Sequence, residues 1–332
     1  MARLSIGLVY DVFGSYPVRP GAPPDAEAEY EPEATVEALE AAIRVLGHEP
    51  VRIGNAHDLL RAASGGEPPR IDAALSIAEG YGTRNREAWA PVLLDMLEIP
   101  TLGSDALTLS LSLDKAWTHD VVAAAGVPVP AQCSLASAAE LESAVLPGPF
   151  PLFVKPRWEG TAKGIGPGSR VADAAALAAR VEAITAAYAQ PALIEAFLPG
   201  AEYTVTVVGN GPPRALPVLQ RALERESGIG LHAVAAGGDA PDHHTPGGLD
   251  AALEAELARL AIAAYRALSC RDFARADFKL DAAGEPRFLE INPLPTFAPD
   301  GSFGILAELA GQPLEALLAE VLRGGLERLR LV

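Results

Sequence analysis

Residues 277–296 read Asp277-Phe-Lys-Leu-Asp-Ala-Ala-Gly-Glu-Pro-Arg-Phe-Leu-Glu-Ile-Asn-Pro-Leu-Pro-Thr296. Polar and apolar side chains alternate over 277–280 and again over 289–292. The turn-rich Asp281-Ala-Ala-Gly284 lies between them, which predicts an antiparallel hairpin. With a period of two, Glu290 and Asn292 share a face, and a register that closes the hairpin brings Asp277 to that face as well. Two carboxylates and an amide oxygen then converge. They are hard oxygen ligands suited to Mg²⁺, which keeps several waters and is shared with substrate phosphates. A solvated hairpin with polar residues turned outward is the plainer account of Asp277 alone. Glu290-x-Asn292 followed by the stop at Pro293 and Pro295 favours the metal site.

At 332 residues the chain has room for two or three domains. Hydrophobic residues make up 49% of it and the formal charge is -17, with the acids scattered rather than blocked. Nucleic acid or an anionic membrane would call for a basic face, so small molecules are the expected partners. Cys133 and Cys270 are the only cysteines, which leaves no disulfide framework and no Cys-rich zinc site. Without a signal-peptide core or a long uncharged apolar run, a cytoplasmic location is expected. The oligomeric state is left open, with a homodimer as the candidate assembly.

Going outward from the hairpin, strand and helix patterns alternate through the first hundred residues. Strands are predicted at 4–10, 51–53 and 73–77. Helices are predicted at 36–46, at 57–63 behind Asn55, and at 89–97, so a small parallel α/β unit forms. The stretch 14–32 holds five prolines and several acids and reads as a long loop. A helix follows at 114–125, a strand-like run at 127–132, and a capping box at Ser137-Ala-Ala-Glu140 that opens another helix. A strand at 150–156 ends in Lys155-Pro156. The glycine-rich Gly160-Thr-Ala-Lys-Gly164 follows, where backbone N–H groups can approach an anion closely, although a plain turn has the same composition. It is neither a Walker A loop nor a dinucleotide fingerprint. After a helix at 173–187, strands are expected at 192–195, 202–208 and 214–219. Residues 221–246 read as a mobile loop and lid. A helix capped by Asp250, the hairpin and closing helices at 303–329 complete the chain. His232, His243 and His244 are read as surface histidines, and Arg84 and Arg86 as solvated residues at a helix start.

Lys115, Lys155-Pro156, Glu159-Gly-Thr-Ala-Lys-Gly164, Glu195-Ala-Phe-Leu198, Glu202, Arg275-Ala-Asp277 and Glu290-Ile-Asn292 occur in an order that resembles the ATP-grasp superfamily. Glu98-Ile-Pro-Thr-Leu-Gly-Ser104, Leu113-Asp-Lys115 and Ala125-Gly-Val-Pro128 extend the likeness over nearly the whole chain, and it is closest to the D-alanine:D-alanine ligase branch. The resemblance implies an α/β (α+β) ATP-grasp fold: an N-terminal parallel domain (1–104), a central ATP-binding subdomain (105–196) and a C-terminal catalytic subdomain (197–332). It implies an ATP-dependent carboxylate-amine ligase working through an acyl-phosphate. By it, Lys115 and Lys155 contact phosphates and Gly160, Thr161 and Gly164 belong to a loop that closes over them. Glu195, Ala196 and Leu198 hold adenine and Glu202 takes the ribose. Asp277, Glu290 and Asn292 bind Mg²⁺, and Arg275 stabilises the acyl-phosphate.

Four departures accompany the match. The branch's Gly-Gly-x-Ser-x-Glu opening, whose glutamate anchors the first substrate's amine, is replaced by Tyr10-Asp-Val-Phe-Gly-Ser-Tyr16 and the proline-rich stretch. Glu33 or Glu31 is left as the substitute, with Glu33 at the helix start taken as the catalytic candidate. The usual His-Gly and Gly-Glu-Asp-Gly segment appears as Glu79-Gly-Tyr-Gly-Thr-Arg-Asn-Arg-Glu87. No lysine falls between Lys163 and Lys279. The family's Asn-x-x-Pro-Gly becomes Asn292-Pro-Leu-Pro-Thr296, where a β-branched residue tolerates positive φ poorly. The expected activity is amide formation between amino-acid-like substrates, with D-alanine alone a poor pair. A nucleotide-binding regulatory module without ligase activity, or a ligase of other substrates, are the alternatives.

Overall fold

The structure is a computed structural model that describes residues 3–17, 20–224, 227–230, 243–244 and 249–332. Three sheets organise it. The first is parallel, in the order β2-β1-β3-β4, from β1 (Ser5–Tyr10), β2 (Glu49–Gly54), β3 (Ala73–Ile77) and β4 (Thr101–Leu102). β3 is buried at every residue, as expected of a strand covered on both faces. The helices that cover the sheet are α1 (Glu33–Val45), α2 (Ala56–Ser64) and α3 (Trp89–Met96). Asn55 starts α2 by accepting from the N–H groups of His57 and Asp58, while Asp58 accepts from Asn55 N–H in return.

Next come α4 (Ala106–Leu113) and α5 (Lys115–Ala124). The alternating Leu-Thr-Leu-Ser-Leu-Ser of 107–112 hides α4 from a periodicity reading. Asp105 starts this helix by accepting from Thr108 N–H at 3.0 Å. The second sheet is antiparallel, in the order β5-β8-β6-β7. It joins β5 (Gln132–Leu135), β6 (Leu152–Pro156), β7 (Arg170–Val171) and β8 (Ala192–Ala196), with α6 (Ala174–Tyr188) packed on its back. The strand expected at 127–132 begins only at Gln132, because Pro128 and Pro130 have no N–H to give a ladder. The Ser137 capping box does not form. Its segment is a short 3₁₀ turn, Ala138–Glu142, and Glu140 accepts instead from Ala136 N–H at 2.9 Å.

The third sheet runs β12-β11-β9-β13-β14, with β10 on the end of β9. Its strands are β9 (Glu202–Val208), β10 (Arg214–Ala215), β11 (Leu219–Arg221), β12 (His243–His244), β13 (Phe273–Leu280) and β14 (Pro286–Asn292). The single strand expected at 214–219 is split around Pro217 into β10 and β11. The loop expected at 221–246 is also corrected in its described parts. Arg221 ends β11, Leu223 bridges Gly230, and His243–His244 pairs with β11; residues 225–226, 231–242 and 245–246 lie outside the described residues. α7 (Ala251–Ala267) covers the back of this sheet with Leu257, Leu260 and Ala264. α8 (Ser302–Leu309) and α9 (Leu314–Arg328) return to the first sheet, where Leu318 and Leu322 share a core with Val36 and Leu39 of α1. Buried Asp272 fixes that return by accepting from Gly103 N–H at 2.7 Å and from Arg328 at 2.8 Å. Among the described residues no helix is long and apolar enough to cross a membrane.

Candidate active site

The hairpin forms as the alternation predicts, with one addition. Arg275 lies opposite Asn292 and Asp277 opposite Glu290, but the register then shifts, so that Phe278 faces Phe288. In an unbroken strand Phe288 and Glu290 would share a face; the bulge at Leu289 sends Phe288 into the core behind the sheet and leaves Glu290 and Asn292 in front. β9 continues both rows, with Thr206 beside Arg275, Thr204 beside Asp277 and Glu202 beside Lys279. Arg221 lies opposite Glu202 on β11. The intervening Val205, Val207, Ala274 and Ala276 are buried on the other side. A period of two has thus sorted charge to the front and apolar bulk to the back.

That charged face lines a cavity of about 870 Å³, to which the second sheet contributes Lys155 and Glu195 and the start of α5 contributes Lys115. Lys155 Nζ is 2.9 Å from Glu195 Oε2, and Lys115 Nζ is 2.9 Å from Glu290 Oε2. Burial alone would raise the Glu290 carboxyl, yet Lys115, Lys155 and Arg275 overcome it and hold the group at about 2. Lys115 is raised in turn, since Glu290 outweighs the desolvation that would lower it. Asp277 accepts from Thr204 Oγ1 at 2.6 Å and from Arg275 at 3.1 Å. His119 is fully buried beneath this face, and burial lowers its imidazole below the ordinary value despite nearby Glu195. The third-sheet wall interleaves the cations Arg221, Arg275 and Lys279 with the acids Glu202, Asp277 and Glu290, and Glu29, Glu31 and Glu79 from the loops around the first sheet also line the cleft.

Residues 121–323 match the family model described as D-ala D-ala ligase C-terminus. The chain belongs to the D-alanine:D-alanine ligase family. It is similar to the uncharacterized protein y4sG of Sinorhizobium fredii (30% identical over 293 residues, 86% of this chain and 85% of that one). It is similar also to the D-alanine–D-alanine ligase of Alcanivorax borkumensis (31% over 260 residues, 78% of each). Its fold is the ATP-grasp fold of solved relatives such as the D-alanine–D-alanine ligase of Bacillus anthracis complexed with ATP. That likeness has a TM-score of 0.69 at 21% identity and covers 98% of this chain and 97% of the other.

Of the residues singled out from the sequence of this ligase-family chain, Lys115, Lys155, Thr161, Glu195, Ala196, Leu198, Glu202, Arg275, Asp277, Glu290 and Asn292 all line the cleft. Three do not. Glu33 is half exposed and pairs with Arg52 of β2, because the first turn of α1 points it outward; Glu31, two residues earlier, is the acid that faces the cleft. Gly160 and Gly164 turn their N–H groups to Glu29 and Asp25. Arg86, read as solvated, is 3% exposed and bonds both oxygens of Glu29. Thr296, feared to be strained, has no positive φ; its hydroxyl donates to Glu31 Oε2 at 3.0 Å. Arg221 and Lys279 were missed. Lys279 was readable, since it follows Arg275 and Asp277 at the same two-residue spacing, whereas Arg221 had been assigned to a loop.

Proposed function

We propose that this chain is an ATP-dependent carboxylate-amine ligase that joins two small amino-acid-like substrates through an acyl-phosphate. The observation that carries the reading is the meeting, in one cleft, of Lys115, Lys155 and Arg275 with Asp277, Glu290 and Asn292 on paired strands. A carboxylate resists attack by an amine until one of its oxygens has taken the γ-phosphoryl group of ATP. Lys115 and Lys155 offset phosphate charge, and Arg275 steadies the charge on the acyl-phosphate and on the tetrahedral species formed by the amine. Glu195 with the backbone of Ala196 and Leu198 holds adenine, and Glu202 holds the ribose. Glu31 receives the amine of the first substrate in place of Glu33.

Asp277, Glu290 and Asn292 fit Mg²⁺, offering hard oxygens from opposed residues of β13 and β14. Among the described residues no three Asp, Glu, His or Cys side chains cluster as a metal site. When bound, the ion would neutralise phosphate charge at the reacting end. The segments 1–104, 105–196 and 197–332 act as the three units of the ligase. A cytoplasmic location suits a free-thiol protein that draws on ATP.

The test is a screen of amino-acid pairs with purified protein, ATP and Mg²⁺, following phosphate release and the mass of the product. Phosphate release is expected only with a matching pair, and to be slow with D-alanine alone. Nucleotide binding without amino-acid-dependent phosphate from any pair would leave a nucleotide-binding module in its place.

A further inference from the structure

Two acids hold the backbone of the glycine-rich loop at its ends: Gly160 N–H donates to Glu29 Oε1 at 2.6 Å, at the edge of the cleft, and Gly164 N–H donates to Asp25 Oδ2 at 2.7 Å. Both acids belong to the proline-rich stretch before α1. Lys163 Nζ lies 3.0 Å from Glu29 Oε2, Arg86 Nη2 donates to the same carboxylate at 2.7 and 2.9 Å, and Tyr188 Oη donates to Asp25 at 2.8 Å. A Cβ at position 160 would stand 2.9 Å from Glu29 Oε1, so a larger residue there would push this carboxylate off the loop. Burial alone would raise Glu29, but Arg86 and Lys163 hold it at about 2, and it is ionised at any working pH.

Between these two anchors, Thr161 and Ala162 line the cleft with φ of 46° and 56°. A non-glycine residue keeps that conformation only where its surroundings impose it. Among the described residues, neither N–H donates to another protein group.

We infer that Glu29, assisted by Asp25, is the positioning residue of the phosphate loop, engaging the Gly160 and Gly164 N–H groups at the loop's two ends so that the Thr161 and Ala162 N–H groups stay turned to the nucleotide. Because Glu31, two residues on, reaches the first-substrate end of the cleft, the same stretch joins substrate wall and phosphate loop into one body. The inference rests on the assignment of this loop to ATP.

ATP binding by calorimetry, the KM for ATP and thermal melts of Glu29→Ala, Glu29→Gln and Asp25→Ala test it. Glu29→Ala should weaken ATP binding and raise the KM for ATP by about tenfold or more, the scale of one lost charge-assisted hydrogen bond. Glu29→Gln should fall between, since its amide oxygen still accepts from Gly160 N–H. Asp25→Ala, at a half-buried position, should weaken ATP binding by about threefold or more and carries the test if Glu29→Ala does not fold. Folded variants with lowered melting temperature but unchanged ATP affinity would reduce the pair to a structural role and overturn the inference. Tighter ATP binding would also overturn it, showing that the carboxylates compete with phosphate. Parent protein that binds no ATP would instead remove the underlying ligase assignment.

Discussion

Replacing Glu290 by Gln removes one charge and keeps the shape of the side chain. Glu290 stands 2.9 Å from Lys115 Nζ and is held at about 2, against an ordinary 4.5, by Lys115, Lys155 and Arg275 acting over the opposing effect of burial. That gap, at about 1.4 kcal/mol per pH unit, makes the ionised carboxylate stabilise the ligand-free fold by about 3 kcal/mol at neutral pH. The folded value lies below the unfolded one, so the contribution is complete above pH 4.5 and is lost as pH falls through about 2. Glu290→Gln should therefore unfold about 3 kcal/mol more readily in urea at pH 7.5, with the difference shrinking below pH 4.5. Domain stabilities of about 5–15 kcal/mol leave the variant folded and assayable. With the ligand charge gone, amide formation at saturating substrates should drop about 100-fold or more. A near-normal rate in limiting Mg²⁺ would refute the metal assignment, and an unchanged urea midpoint at pH 7.5 would refute the electrostatic reasoning.

Glu87 behaves in the opposite sense: burial raises it to about 7 in spite of Arg86. The unfolded chain releases this proton near pH 4.5 and the folded one only near 7, so a penalty absent below 4.5 grows to about 3 kcal/mol by pH 7. Glu87→Gln should stabilise the protein in urea titrations above pH 7 and be neutral at pH 4; a difference independent of pH would contradict this. Glu31→Gln and Thr296→Val should show a coupling of about 0.5–3 kcal/mol in a double-mutant cycle of stability, because Thr296 Oγ1 donates to Glu31 Oε2. Strict additivity would mean that the bond carries nothing.

The strands whose pattern is purely local were legible. β3 and β9 fall where alternation or a buried run put them, and the hairpin supplied the order of the cleft's front face. What escaped was decided by partners far away in sequence. Glu33 and Glu31 are equivalent to a reader of helix starts, and only Arg52 on β2 shows which one faces outward. Arg86 reads as a surface charge until Glu29, 57 positions earlier, is brought against it. The bulge at Leu289 leaves only the adjacent apolar pair Phe288-Leu289, a break in the alternation that the end of a strand would produce equally well. The glycines of 160–164 signalled an anion, and an anion is present against Gly160 N–H; it is the chain's own Glu29 carboxylate.

Two departures from the ligase-branch pattern meet in space. The opening segment has lost its Gly-Gly-x-Ser-x-Glu, and the residue after Pro295 has changed from glycine to Thr296. Read separately, each weakens the case for catalysis. In the structure Glu31 Oε2 accepts from Thr35 Oγ1 at 2.7 Å and from Thr296 Oγ1 at 3.0 Å, so the hydroxyl brought by the second change orients the acid brought by the first. Burial raises the Glu31 carboxyl above its ordinary value, the direction that favours filling this end of the cleft with a substrate cation over leaving the charge uncompensated. A Thr side chain also occupies space that glycine leaves open, next to the acid that would meet the first substrate. The two departures therefore meet at one end of the cleft, which the cations and hairpin oxygens of the proposed phosphate chemistry also line. Under the proposed function, ATP chemistry and substrate choice are read from different parts of one cleft, and family membership carries the first to this chain and not the second.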